Sequence, residues 1–597
     1  MTHRLGATPM GDGETRFVVW APATAGVMVQ LADGPSVALT PESGGYHQAV
    51  VPNCPPGARY HYVLADGSRQ PDPASRSQPD GVHGPSQVVD LRAHPWHDEG
   101  YRPRPLWDQV IYELHIGTFT AEGTFDAALA QLDELVELGV SALEIMPVAQ
   151  FPGRRNWGYD GVFPYAVQNS YGGWDGLQRL VEGCHQRGLA VVLDVVYNHL
   201  GPEGNVLGDF GPYFTDRYHT PWGPALNFDG PGSDDVRTYF LQNAHQWFVD
   251  FHIDALRLDA VHEIIDRTAT PFLSELATHA DEISDMLGRR CSLIAESADN
   301  NPLVITASAA GGLGLDAQWN DDFHHSVHSV LTGEREGYYA DYGHAEDVAR
   351  AMNEGFVYQG QYSLFRQRRH GAPSGTIAPE HFVEFVQNHD HIGNRPRGDR
   401  LATLVAPDQV ALAAALLLLS PGIPLLFMGE EYGETAPFPY FVDHGDPALT
   451  AAVRTGRARE FAEMFHDAEP LDPADPDTFA AAILQRSLRH QGTHAELWQL
   501  YRELIALRQQ VPALRRSTRS AASASAYGGV VTMVRRDPAG TVTALFNLTA
   551  HGVEATLPSG GPWIDLRRSE QLPHAGDATV KLDPWGFNVY GTPEEAA

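Results

Sequence analysis

Short runs of alternating or continuous apolar residues open the chain, divided by turns rich in Gly and Pro. Phe17-Val18-Val19-Trp20, Val27-Met28-Val29-Gln30-Leu31 and the alternating stretch at 60–64 (YHYVL) read as strands, the last closed by Ala65-Asp66-Gly67. Strands of this length and spacing predict a β-sandwich of roughly a hundred residues. A Pro-rich join, Tyr101-Arg102-Pro103-Arg104-Pro105, ends it.

The period then changes. Eight candidate strands lie at 110–115, 141–146, 190–195, 253–258, 292–295, 316–319, 382–386 and 424–427, most of them apolar runs, as strands covered on both sides should be. Between them lie helical patterns at 126–138 (closed by Gly139), 174–187, 234–248, 271–287, 407–419 and 496–510. Eight strands alternating with helices predict an α/β fold, a (β/α)8 TIM-type barrel. A doubly wound open sheet is the alternative, but no Gly-rich phosphate loop follows the first strand. Three connections are long, at 198–235, 321–381 and 430–493, and all should rise from the face where barrels carry their chemistry. Short strands at 530–534, 542–546 and 587–590 close the chain. The expected division is an N-terminal β-sandwich at 1–100, the barrel with its inserts at 101–515 and a small C-terminal β-domain at 516–597.

Charge removes whole classes of partner. With 41 Lys and Arg against 75 Asp and Glu, a net of -34, the chain has no basic footprint for nucleic acid or anionic membrane. The longest apolar run, VALAAALLLL at 410–419, is too short to span a bilayer and reads as a buried helix. Three widely spaced cysteines, Cys54, Cys184 and Cys291, suggest neither a disulfide framework nor a zinc site. With no secretory signal at the start, a reducing cytoplasm is the expected location.

The ends of the strands carry the candidate chemistry. DVVYNH (194–199), DALRLDAVH (254–262), LIAES (293–297) and FVQNHD (385–390) bring Asp194, Asp259, Glu296 and Asp390 to one rim from four strands. Arg257 and Asp259 are two apart, so both side chains leave the same side of their strand. A neighbouring Arg favours the ionised carboxylate, which suits Asp259 as a nucleophile. Glu296 has no Arg close in sequence and is expected to keep a raised pKa, as a general acid must. Two carboxyl groups with opposite duties are what glycosidic cleavage needs. A metal site built from Asp194, His199, Asp259 and His262 is the competing reading, and Arg257 beside the cation argues against it.

Taken together, these four segments resemble the signature regions of the α-amylase family of glycoside hydrolases. The resemblance implies that Asp259 is the nucleophile, Glu296 the proton donor and Asp390 the transition-state stabiliser. Further stretches, FVVWAP (17–22), YELHIGTFTAEGTF (112–125), GRRNWGYDG (153–161) and TPWGPALNFDG (220–230), are similar to the trehalose-releasing members of that family. This implies a maltooligosyltrehalose substrate, no cofactor and no metal, and a functional pairing with a maltooligosyltrehalose synthase. It also implies sugar contacts from Tyr159, Asp160, His199, Arg257, His262, Asp321, Asp322, His324, His325, His389, His391 and Asn394. Glucan branching and debranching enzymes share the sandwich-plus-barrel plan, so a transferase with the same carboxylates stays open, as does a glucan-binding protein without turnover.

Overall fold

The computed structural model describes residues 4–464, 470–515, 518, 520–558, 562–568, 570–571 and 578–592. Eight parallel strands close a barrel: β1 (Ile111–Leu114), β2 (Ala142–Ile145), β3 (Ala190–Val195), β4 (Ala255–Leu258), β5 (Ser292–Ala295), β6 (Ala317–Trp319), β7 (Phe382–Glu384) and β8 (Ile423–Phe427), with β8 returning to β1. Every residue of these strands is buried. That is why most of their residues are apolar: one face packs inside the barrel, the other under the helices.

Most predicted helices form, including the apolar Pro407–Leu419, which is buried along nearly its whole length. Its C-terminal carbonyls meet two buried cations. Arg508 donates to the carbonyls of Leu418 (3.0 Å) and Ser420 (2.6 Å), and Arg535 from the C-terminal sheet donates to those of Leu419 (3.2 Å) and Ser420 (3.0 Å). Positive charge at a helix C-terminus satisfies the free carbonyls and opposes the helix dipole. One helix departs from expectation. The 126–138 pattern splits into Phe125–Leu129 and Leu132–Leu138, and at the join the Gln131 N–H bonds back three residues to the carbonyl of Ala128 at 2.9 Å. The stop at Gly139 holds: its φ of 101° is left-handed, and a Cβ there would meet Ile505 at 2.7 Å.

Two small sheets precede the barrel. One pairs Gly6–Gly11, Glu14–Trp20, Tyr46–Val51 and Thr40–Pro41; the other is built on Val27–Leu31 and Arg59–Leu64. Arg59–Leu64 alternates in burial as its sequence predicts, with Tyr60 and Tyr62 inward. After the barrel come a six-stranded and a two-stranded sheet. The long connections carry elements of their own. A hairpin, Phe214–Thr220 with Gly223–Leu226, rises after β3, and two helices, Asp321–Thr332 and Ala345–Glu354, follow β6.

Candidate active site

The site is organised by one buried cation. Arg257, on β4, is 0% exposed, and its guanidinium touches three carboxyl groups. Nη1 lies 2.7 Å from Asp194 Oδ2 and 3.1 Å from Asp259 Oδ1, while Nη2 lies 2.9 Å from Glu296 Oε2. Trp319, at the end of β6, covers the guanidinium from one face at 4.2 Å. The same-side placement of Arg257 and Asp259 read from the sequence is therefore real. The expectation that Glu296 would be free of arginine is not: β4 and β5 pair in register, so the long Arg257 side chain reaches both strand ends.

Glu296 nevertheless stays protonated more easily than an ordinary glutamate. Burial pushes its pKa up, the charges of Asp259 and Asp390 add to that, and Arg257 only partly opposes it. Asp194, also buried, is pushed up to about 7 against the pull of Arg257. Asp259 has both oxygens held: Oδ1 by Arg257 and Oδ2 by the Asn198 amide at 2.6 Å. Asn198 also bonds the Asp259 carbonyl at 2.7 Å. Directly after Asp259, Ala260 is forced into left-handed geometry (φ 38°), unfavourable for a residue with a Cβ. Glu296 pins it, its side chain accepting from the Ala260 N–H at 2.8 Å and its carbonyl from the Val261 N–H at 2.9 Å. The strained turn thus ties the end of β4 to the end of β5.

A second chain of contacts runs beneath. The Tyr159 hydroxyl donates to Asp194 Oδ2 at 2.6 Å and meets His389 Nε2 at 2.9 Å, the two rings stacking at 5.2 Å. His389 Nδ1 bonds the carboxylate of Glu113 on β1. Burial alone would lower the His389 pKa, but Glu113 and Asp390 outweigh it and raise it to about 9, so the ring is cationic. Asp390 lies 3.7 Å from His389 Nε2 and is the most open of the carboxylates, 41% exposed at its side chain. His199 packs under Trp222, a half-exposed ring at the hairpin tip, with centroids 4.4 Å apart. Asp160 takes a 2.7 Å bond from Asn156, with His444 3.9 Å away.

The segment after β6 divides the remaining candidates. Asp321 lies close enough to Glu296 and Asp390 that burial and these like charges raise its pKa to about 8, and His391 is 3.8 Å from it. Asp322, its neighbour, points elsewhere. Its carboxylate is spent on the loop beyond, accepting from Asn300 (2.8 Å), Tyr342 (2.5 Å) and the N–H groups of Val357 (2.6 Å) and Tyr358 (3.0 Å). His324 has one nitrogen on the Val386 carbonyl (2.7 Å) and the other on Tyr339 (2.9 Å). His325, His391 and His262 each keep a buried Nδ1 without a protein partner. Asn394 accepts from Arg457 at 3.1 Å. The metal reading loses its space, because Arg257 Nη1 stands between Asp194 and Asp259 where a cation would sit.

Glu113, Glu144 and Trp222 were missed in the sequence. Glu144 on β2 is fully buried with neither oxygen bonded, and burial beside Glu113 and Asp194 pushes its pKa far up. A cavity of about 470 Å³ opens at the opposite end of the barrel, by Ala142, Ala190 and Ala255, away from the carboxylates.

A closed eight-stranded barrel with Asp, Glu and Asp at the ends of β4, β5 and β7 around a buried Arg defines an α-amylase-type glycoside hydrolase. The α-amylase catalytic-domain family model matches residues 72–211. A malto-oligosyltrehalose trehalohydrolase of Saccharolobus solfataricus is 46% identical over 84% of this chain and 86% of its own, and one of Arthrobacter ramosus 47% identical over 83% and 87%. A crystal structure from Salmonella typhimurium, provisionally described as an alpha amylase, superposes with a TM-score of 0.89 at 38% identity, covering 99% of this chain and 100% of its own. A branching enzyme of Corynebacterium jeikeium is more distant, 26% identical over 96% of this chain and 78% of its own. The chain belongs to the malto-oligosyltrehalose trehalohydrolase family.

Proposed function

We propose that the chain hydrolyses maltooligosyltrehalose at the α-1,4-glucosidic bond next to the terminal trehalose, with retention, releasing free trehalose. Glu296 gives its proton to the departing trehalose oxygen as the C1–O bond breaks. Asp259 forms the new bond to C1, giving a glucosyl ester and leaving Glu296 ionised. Water then attacks C1, Glu296 takes its proton, and Asp259 departs as the free carboxylate. Asp390 and the His389 cation flank the sugar: the carboxylate favours positive charge at the anomeric carbon, and His389, its two N–H groups held by Glu113 and Tyr159, adds its charge and fixes the Tyr159 ring. Tyr159, His199, Asp321 and His391 are assigned to sugar contacts on either side.

The observation that carries this reading is the shared guanidinium. Arg257 holds Asp259 and Glu296 together, yet burial keeps Glu296 able to hold a proton while Asp259 has both oxygens stabilised by donors. The same reading includes the division at about residues 100 and 515, a cytoplasmic location and work in sequence with a synthase that builds the trehalose end. Among the described residues no helix is long and apolar enough to cross a membrane.

The test is a product assay on maltotriosyltrehalose and, separately, on maltopentaose. Free trehalose from the first, with the second barely touched, is expected. New α-1,6 linkages from longer glucans, with no trehalose, would move the chain to the branching class.

A further inference from the structure

Where Arg4 and the segments bearing Arg76 and Arg92 meet the helix Ser233–Asp250 lies a second cavity, of about 280 Å³, lined by none of the active-site carboxylates. Its walls are unusual for a chain of net charge -34. Three guanidiniums, Arg4, Arg76 and Arg92, line it together with a single carboxylate, Asp250. Arg4 Nη2 pairs with Asp250 at 2.5 Å. Arg76, almost fully buried, donates only to neutral oxygens: Gln246 Oε1 (3.1 Å) and the carbonyls of Leu5 (2.8 Å) and Ala7 (2.9 Å). Arg92 has no ion pair among the described residues, and the nearby Asp90 carboxylate is turned to the Arg92 backbone N–H at 3.1 Å. His245, on the same wall, has a buried Nδ1 with no partner.

Like charges gathered in a partly desolvated space repel, and such a cluster is stable where an anion completes it. The strain is visible in Arg4, whose pKa is pushed down to about 10 by burial and by the charge of Arg76 and Arg92, despite Asp250. We propose that this cavity is a binding site for a phosphate group, as free phosphate or as the phosphate of a phosphorylated sugar. Arg92 and the unused N–H groups of Arg4 and Arg76 would hold the oxygens, with His245 on the flank. Guanidinium forks match phosphate geometry better than a lone ammonium does.

The test measures binding of inorganic phosphate and of glucose 6-phosphate to the full chain by calorimetry, with chloride at matched ionic strength as the blank. Saturable one-site binding is expected. Arg92→Gln, at an exposed position, should weaken it at least tenfold while hydrolysis without phosphate stays unchanged. Asp250→Asn should act in the opposite direction and tighten it. Glucose 6-phosphate binding tenfold tighter than phosphate would identify the sugar phosphate as the ligand, and equal affinities would identify free phosphate. No saturable binding to the wild-type chain, a chloride response of the same size, or binding indifferent to both substitutions would overturn the proposal.

Discussion

Replacing Glu113 with Gln tests whether the cation under the cleavage point is real. Glu113 is 1% exposed, and its carboxylate holds His389 through Nδ1. Gln keeps the shape and an acceptor oxygen but removes the charge. The rise of His389 from 6.5 to about 9 corresponds to a preference for the charged ring on the order of 3 kcal/mol. Burial opposes that preference and Asp390 alone is left to counter it, so without the Glu113 carboxylate the ring is expected to turn neutral at pH 7. Its Nε2 then accepts from the Tyr159 hydroxyl instead of donating to it. Tyr159 has one proton, now given to Asp194 at 2.6 Å, and cannot serve both. The contacts that set Asp194 and, through it, Arg257 are disturbed.

The sign of the pH effect follows. A histidine with a raised pKa stabilises the fold fully below its unfolded value near 6.5, and that contribution is lost as pH rises through about 9. The urea unfolding free energy of the wild type should exceed that of Glu113→Gln by about 3 kcal/mol at pH 6, and the gap should close by pH 10. At pH 7 kcat should fall by about 10- to 100-fold, roughly 1.4 to 2.7 kcal/mol of barrier, with a smaller change in KM. Glu113→Asp, which keeps the charge on a shorter arm, should retain the pH dependence. A folded Glu113→Gln with normal kcat, or a stability gap that stays constant from pH 6 to 10, would refute the reasoning.

Four further outcomes are expected. Asp259→Asn and Glu296→Gln should each lose turnover by about a thousandfold or more while staying folded, since both keep hydrogen-bonding atoms in place; near-normal kcat in either would sink its assignment. The alkaline limb of kcat/KM should lie above the ordinary glutamate range, because burial and the neighbouring carboxylates hold the proton on Glu296; a pH–rate profile that falls through pH 4.5 would contradict this. Asp322→Ala should destabilise the fold by several kcal/mol, at about 1 to 3 for each buried donor it strands, and thermal unfolding unchanged from wild type would show the carboxylate is not a brace. Trp222→Ala should leave stability within about 0.5 kcal/mol yet raise KM, and an unaltered KM would remove the ring from the substrate's path.

What the sequence revealed and what it hid have separate physical causes. The barrel strands were readable because burial on both faces leaves a local mark in every residue. The Arg257–Asp259 pair was readable because strand period is two. Glu113 was hidden because a Glu within an apolar strand has no local signature, and the histidine that explains it lies 276 positions away. Glu144 is hidden for the same reason. Asp321 and Asp322 are adjacent and chemically identical. Only the start of the helix Asp321–Thr332 decides that one faces Glu296 and the other the loop at 356–358.

The distribution of charge suggests why so many carboxyl groups gather under one barrel rim. Glu113, Glu144, Asp194, Asp259, Glu296, Asp321 and Asp390 share the space with two cations, Arg257 and His389. They cannot all ionise. Burial eases the excess by raising the pKa values of Glu144, Glu296, Asp321 and Asp194, while Asp259 is stabilised by Arg257 and Asn198. Glu296 thereby holds a proton more readily than an ordinary glutamate, as bond cleavage requires. The surplus negative potential that remains favours the positive charge that develops on the sugar ring. The same crowding that would destabilise an ordinary core therefore readies the acid and prepares the field for the transition state. It is tolerable because Arg257 and His389 are themselves locked, one under Trp319 and the other between Glu113 and Tyr159.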